Sequence, residues 1–522
     1  MSDRTGPPPA PPASGRGGIE ATPPASGRGA SAAAPPARGR GGHRHDLTSG
    51  PIGRTLLAFA LPTLGANILQ SLNGSINTIW VGRFLGEGAV AATANANTIM
   101  FLMFAAVFGF GMAATILIGQ SIGRRDIEGA RRAFGASIGL VMGAAVVIAA
   151  LGWIFTPEIL KVLATPSSAM PLALAYLRVI FLGLPATMLL VLLGMALRGV
   201  GDSITPLWFT VLSVLLDSGL NPVFIRGWFG MPTMGIAGSA TATLISAHVA
   251  VLGLLAYIYL RDLPIRLRGH ELTWLIPSPA LIRTIVAKGL PMGAQMLVVS
   301  FAALTMTGLV NRYGVDTTAA YGVSMQLWGY IQMPALAVGA AVSSMVAQNI
   351  GAGLWDRVDR ITRSGLLFSA LLTSTMVVAV ILFDRPVMAV FLGGGSPALP
   401  IARHIQVLAS WNFIVFGMTM VLFSAVRANG AVWAPLVMLI IAMYPVRLGF
   451  ALAFKDSLGA DSLWWSFPLG SVATLVMSSL YYRYGGWRKQ RLVVPAETPA
   501  STAAAPAEAA AAEPIGAQHP VG

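Results

Sequence analysis

The residues of this chain best placed to do chemistry are an acid, several amides and a hydroxyl set at helical spacing inside apolar stretches. Reversible binding of a cation is the chemistry that such a set suits. Asp217 follows the apolar-rich run 207–216 and precedes 218–228, so it falls near the middle of a membrane-length segment. An acid at that depth costs several kcal/mol and is kept where it faces a cavity or a partner. Asn221 lies one helical turn on and shares its face. Gln70, Asn73 and Asn77 form a second stripe at three- and four-residue spacing, and Thr241 and Thr243 open a third segment. Two readings stand side by side: a hydrogen-bonded acid that locks helices together, or a site that handles an ion or substrate. A carboxylate with several amide oxygens suits sodium, possible at Asp217 and Asn221. An acid enclosed by apolar surroundings suits a proton. The residue types do not separate these. His248, deeper in the segment that carries Thr243, reads as a packing residue or as a proton carrier.

The other half of the chain has no clear acid at depth. It has Arg447, close to position 446, where Asp217 falls when 229 residues are added. An arginine there could bind an anionic group of a substrate, or pair with a carbonyl or an acid. Gln295, Gln326, Gln332, Met325, Trp328 and Trp411 accompany it. Trp and Met make a soft wall suited to flat organic cations, though membrane aromatics also pack or face lipid. His43 and His45 could hold a metal, but they lie in a tail of low complexity.

The elements that must position these groups are membrane helices. The chain of 522 residues is 55% hydrophobic and 10% charged, against about 25% charged in a soluble domain. A span needs roughly 20 apolar residues. Twelve such segments are expected, about 55–80, 89–119, 133–155, 174–197, 206–229, 237–260, 280–310, 319–349, 364–391, 403–426, 433–455 and 463–484. They are also written twice. Leu61-Pro62, Ser71, Thr78 and Arg83 return 229 residues later as Leu290-Pro291, Ser300, Thr307 and Arg312. Gly111, Gln120, Ile122 and Gly123 return as Gly339, Gln348, Ile350 and Gly351, and Arg198 and Pro206 as Arg427 and Pro435. The expected fold is an all-α membrane protein with twelve transmembrane helices in two pseudo-symmetric six-helix lobes. Duplicated bundles facing each other are how many carriers build a central site.

The lobes are expected at 51–262 and 280–488, joined by a polar, Pro-containing linker at 263–279 that lets them move. Residues 1–50 and 489–522, rich in Pro, Gly, Ala and Arg or in Ala, Pro and Glu, read as disordered tails. Pro62, Pro185, Pro222, Pro291, Pro334 and Pro445 fall inside spans, where each tends to kink its helix.

The net charge of +14 is placed by topology and not by nucleic acid. Arg124, Arg125, Arg131 and Arg132 follow span 2, Arg261, Arg266 and Arg268 follow span 6, and Arg357, Arg360 and Arg363 follow span 8. Arg483, Arg488, Lys489 and Arg491 follow span 12, while the intervening loops are poorer. Basic loops stay cytoplasmic, so both termini are expected there. The chain has no cysteine, which excludes disulfides and thiolate metal sites.

Several motifs then converge on one family. Pro62, Gln70, the polar residue 77 and Val81-Gly82 resemble a first span. Gly119-Gln120-Ser121-Ile122-Gly123 with Gly129-Ala130-Arg131 resembles a second span and its exit. Arg198-Gly199-Val200-Gly201-Asp202, Pro206, Asn221-Pro222, Gly235-Ile236-Ala237-Gly238 and Ala242-Thr243 continue the order. Together they resemble the multidrug and toxic compound extrusion (MATE) family of cation-coupled antiporters over about 51–488. The family usually has an aspartate in span 1, where this chain has Asn77. It commonly shows Asn, three residues, then Asp in span 5, where this chain has Asp217 and then Asn221. Acid and amide have changed places, so Asp217 is expected to replace both usual acids.

The resemblance implies export of organic, cationic or amphipathic compounds by alternating access across the inner membrane of a bacterium. The coupling ion would be a proton or sodium. The chain would be a monomer among membrane lipids, with small-molecule substrates, no nucleic-acid partner and no cofactor. The nearest alternative is a lipid-linked saccharide flippase of the same superfamily, which would want a more basic cavity than Arg447 alone supplies. A membrane enzyme would need a paired-aspartate or histidine–acid motif, and a channel would need a repeated filter loop. Neither pattern is visible.

Overall fold

The computed structural model describes Gly6 and residues 46–490, except 163, 164, 166 and 168. The remaining tail residues, His43 and His45 among them, lie outside the described residues. Among the described residues the regular structure is entirely helical. The first half contains α1 (Ile52–Leu85), α2 (Glu87–Gly123), α3 (Ile127–Ile154), α4 (Thr156–Val162), α5 (Met170–Val200), α6 (Ile204–Arg226) and α7 (Ile236–Leu260). The second opens with α8 (Pro279–Val310), α9 (Val315–Ile331), α10 (Met333–Gly351), α11 (Trp355–Leu382), α12 (Asp384–Leu392) and α13 (Ala398–Ala409). It closes with α14 (Asn412–Arg427), α15 (Trp433–Ile441), α16 (Gly449–Ala453), α17 (Lys455–Leu458) and α18 (Asp461–Tyr484). Among them are 11 spans long and apolar enough to cross a bilayer, or up to 12 with the pair α13–α14, which is bent by 44°.

The expected spans therefore stand, with differences at breaks. Pro62, Pro185, Pro222 and Pro291 lie inside α1, α5, α6 and α8. Pro334 instead opens α10, where its missing N–H costs no helix bond. Pro445 sits in a π-helical turn, Ala442–Leu448, between α15 and α16. Such turns absorb a residue that does not fit the i→i−4 ladder and recur at functional positions.

In the first half α5 packs on α2, α3 and α7, and α6 packs on α1 and α7. In the second, α14 packs on α10, α11 and α18, and α13 packs on α9. The halves meet where α2 crosses α8 and α10 and where α1 crosses α10.

Two segments are more ordered than their composition suggests. Leu47 is fully buried, and its carbonyl accepts a 2.9 Å hydrogen bond from Asn349 Nδ2. Arg357 Nη2 donates to the carbonyls of Ser49 and Gly50 at 2.7 and 2.9 Å, so residues 46–50 are seated on the second half. The polar linker hides an apolar set, Leu263, Ile265, Leu267 and Trp274, all buried. Arg131 donates to Pro264 O at 2.8 Å and pairs with Glu271 at 2.7 Å, and the Arg132 guanidinium lies 5.4 Å from the Trp274 ring centre. The linker is a strap fitted to α3, not a free joint. Gly139 makes the fit possible, because a Cβ there would lie 1.8 Å from Leu275 O. Gly139→Ala should therefore destabilise the protein by about 1–3 kcal/mol through overpacking. Thermal unfolding in detergent checks this, and an unchanged midpoint would mean the strap carries no stability.

Candidate functional site

Asp217 is 1% exposed, and four side chains from three helices donate to its carboxylate. Asn73 Nδ2 and Asn77 Nδ2, both from α1, reach Oδ2 at 2.7 Å each. Thr243 Oγ1, from α7, reaches Oδ1 at 3.0 Å, and Asn221 Nδ2, from α6 itself, reaches it at 3.3 Å. Asn221 Nδ2 also donates to Asn77 Oδ1 at 3.0 Å and to Asp217 O at 2.9 Å. Ser218 completes the ring at a longer 3.5 Å to Asn73 Oδ1. Every contact is a donor facing an acceptor-only group, the arrangement an ionised carboxylate takes. Burial of a charge is tolerable when it is enclosed by hydrogen bonds in this way. One group is left over: Asn221 Oδ1 is buried without a partner.

The helices bring these groups together through simple periodicity. Asn73 and Asn77 are one turn apart on α1, as are Asp217 and Asn221 on α6, so each pair presents one face. Of the expected set, Asp217, Asn221, Asn77 and Thr243 meet. Gln70 is exposed on α1 and makes no hydrogen bond among the described residues. His248 is exposed, and its Nδ1 contacts Leu244 O of its own helix at 2.8 Å, so it does not join the cluster. Position on the helix explains this: five residues past Thr243 turns His248 well away from the shared face.

The second half assembles a different neighbourhood. Trp328 is 2% exposed and donates through Nε1 to Gln406 Oε1 and Ser410 Oγ, both at 3.1 Å. Its ring centre lies 4.8 Å from that of Phe467, which in turn carries the Arg447 guanidinium at 3.5 Å. Tyr321 and Phe467 were not singled out by sequence, since aromatic residues are common in any span. Gln295 lies elsewhere, accepting from Arg427 Nη1 and donating to Val432 O, each at 3.3 Å. Gln326 is exposed and donates to Tyr330 OH at 3.0 Å. Trp411 is half-buried at the start of α14, outside this aromatic group among the described residues.

A third feature joins the halves at the end rich in basic loops. Gln120 Nε2 of α2 donates 2.7 Å to Ala428 O, just past α14, and Gln348 Nε2 of α10 donates 2.9 Å to Gly199 O, in the last turn of α5. Both acceptors are helix-end carbonyls without an intrahelical partner. Each glutamine thus caps a helix of the opposite half, and the duplicated residues do so reciprocally. The helices approach so closely that a Cβ on Gly123 would lie 1.9 Å from Gln348 O, and one on Gly351 2.1 Å from Gln120 O. Small residues are what let membrane helices cross this tightly.

Comparison with known proteins agrees with the repeat. The MatE family profile matches residues 62–223 and again 291–452. The chain is 32% identical over 443 residues to the probable multidrug resistance protein YoeA of Bacillus subtilis (strain 168), covering 84% of this chain and 95% of that one. It is 30% identical over 448 residues to the probable multidrug resistance protein YpnP of the same organism, covering 86% and 98%. Its fold matches a solved outward-facing multidrug resistance MATE family transporter with a TM-score of 0.78 and 21% identity, over 85% of this chain and 98% of that one. With the family profile found twice and a third of residues shared over nearly the whole of a relative, this chain belongs to the MatE family of multidrug resistance transporters: a multi-pass membrane carrier of small molecules and not an enzyme.

Proposed function

We propose that the protein is a cation-coupled antiporter that exports organic, cationic or amphipathic compounds across the bacterial inner membrane, with both termini on the cytoplasmic side. One observation carries the reading: the Asp217 carboxylate is the knot that ties α1 to α6 and α7. The opposite end of α1 is packed into the second half, where Leu56, Phe59 and Ala60 share a core with Val338, Val342 and Met345. Whatever changes the charge on Asp217 therefore acts on a helix that both halves hold.

A proton on Asp217 would make one oxygen a donor and turn it against the amide hydrogens of Asn73 or Asn77. Sodium would require those amides to present oxygen in place of nitrogen. Either ion undoes the same stitch. An ion shifts a conformational balance only by binding one state better than the other. The reciprocal glutamine caps close the basic end in this state, so cation binding from the other side is the step that would release it. A single chain supplies every group named.

The test is dye accumulation in everted vesicles containing the full-length protein, driven first by a proton gradient and then by a sodium gradient. Accumulation under one gradient, abolished by the matching ionophore, is expected. Equal accumulation with no gradient would overturn coupled antiport.

A further inference from the structure

Arg447 and Arg427 are deep charges of the second half outside the coupling site, and of the two Arg427 is hydrogen-bonded, to Phe423 O and Gln295 Oε1. Arg447 stands on the π-helical turn Ala442–Leu448, and its stem lies along α18, where a Cβ on Gly470 would fall 3.3 Å from Arg447 Cβ. Nη1 meets only Met443 Sδ, at 3.6 Å, and Nε is buried with no hydrogen-bond partner. Of the six acids in 280–488, Asp384 pairs with Arg403, Asp461 with His404 and Asp359 with Arg488, while Asp316, Asp356 and Asp456 are exposed in the first turns of α9, α11 and α17. The hydroxyl of Tyr321, from α9, is buried within reach of the guanidinium's charge. Its neighbour Thr307 donates to Ala303 O at 3.0 Å, so it faces the Tyr321 hydroxyl only as an acceptor, and an oxyanion would compete with it for that hydrogen. Behind Trp328, the amide nitrogen of Gln406 is a second buried donor without an acceptor.

Unpaired buried donors are costly, about 1–3 kcal/mol each and more for a charged one. A buried guanidinium with no counter-ion is the least favourable of these arrangements. The Arg447 and Gln406 deficits have the same sign: donors without an acceptor. Arg447 is also partly open, so an acceptor can reach it. The surroundings specify what kind. Phe467 lies under the guanidinium, with Tyr321, Trp328 and Trp464 close behind in ring contact. An oxyanion attached to a flat apolar body satisfies both parts.

We propose that Arg447 and Tyr321 form an oxyanion subsite in the second half, taking the carboxylate of a small aromatic cargo against the Phe467 wall. Arg447 lies one residue past position 446, where Asp217 falls one duplication away, and is opposite in charge. The proposal rests on the carrier reading for the word cargo, but binding at Arg447 does not depend on how transport is coupled.

The probe is benzoate, titrated into the purified full-length protein in detergent and followed by tryptophan fluorescence, with benzamide as its neutral isostere. Benzoate is expected to bind at least roughly tenfold more tightly than benzamide. Arg447→Gln should weaken it by about tenfold or more, and Tyr321→Phe by about threefold, as hydrogen bonds to a charged group require. Arg447→Lys keeps the charge but loses the planar fork, and should fall between wild type and Arg447→Gln. Asp217→Asn should leave benzoate affinity unchanged while it lowers gradient-driven efflux roughly 10- to 100-fold, which separates failure of this subsite from failure of the coupling site. Equal binding of benzamide, or unchanged benzoate affinity in Tyr321→Phe and Arg447→Gln, overturns the subsite. Should phosphatidylglycerol in nanodiscs abolish benzoate binding where phosphatidylcholine does not, the acceptor is a lipid headgroup and the cargo reading fails.

Discussion

Asp217→Asn should reduce gradient-driven efflux by roughly 10- to 100-fold, the range expected when a coupling free energy of about 1–3 kcal/mol is removed. The substitution keeps shape and burial and removes only the charge. It also puts an amide N–H where Asn73 and Asn77 now donate, so one of those amides must turn over. That rearrangement costs on the order of 1 kcal/mol, too little to unfold the protein. Efflux and thermal unfolding measured on the same preparation distinguish the two effects. The coupling role is lost if the variant still concentrates dye to within twofold of wild type. A second comparison sharpens this result. Exchanging the pair, Asp217→Asn with Asn221→Asp, restores a carboxylate one turn away on the same face of α6. Recovery of a substantial part of efflux would show that the charge matters more than its exact register.

The second large effect is expected at the closed end. Gly123→Ala and Gly351→Ala each place a methyl about 2 Å from a backbone carbonyl of the opposite half, where ordinary contact begins at 3.4 Å. Backbone cannot turn aside as a side-chain tip can, so α2 and α10 must part by more than an ångström. Both glutamine caps then lengthen beyond hydrogen-bond range. Overpacking of about 1–3 kcal/mol corresponds to a population shift of roughly 5- to 150-fold toward the opened end. The absence of cysteine from the chain makes this directly measurable. Ser121, fully buried beside the crossing, can be replaced by cysteine and its labelling by a maleimide timed. Labelling should quicken about tenfold in either glycine variant. Gly308→Ala is the control, since a Cβ there meets nothing within 4 Å. Unchanged labelling in folded Gly123→Ala protein would show that this crossing is not what closes the end.

Much of this protein could be read from residue order alone. Apolar length, the duplication at 229 residues and the alternation of basic loops determined an all-helical membrane fold, because in lipid the backbone must satisfy itself and only a few topologies allow that. The same logic pointed to Asp217, since a lone acid deep in an apolar segment is too costly to be accidental. Local periodicity placed Asn221 beside it and Asn73 with Asn77. Which of several polar stripes would meet was a different matter. Gln70 and His248 have the right chemistry, but Gln70 lies about two turns along α1 from Asn77, too far up the axis to reach Asp217, and His248 is turned away from the Thr243 face of α7; which level and which face meet α6 is set by packing along whole helices. The strap over α3 was hidden because four apolar residues among polar ones bury only where glycines on another helix leave a groove. The reciprocal caps of Gln120 and Gln348 were visible as a repeated motif but not as partners. Their acceptors are backbone carbonyls some 150 to 310 residues away, exposed by helix ends, and no side-chain pattern encodes a carbonyl. Tertiary structure alone decided those pairings, because only it brings a donor in one half to an unsatisfied helix end in the other.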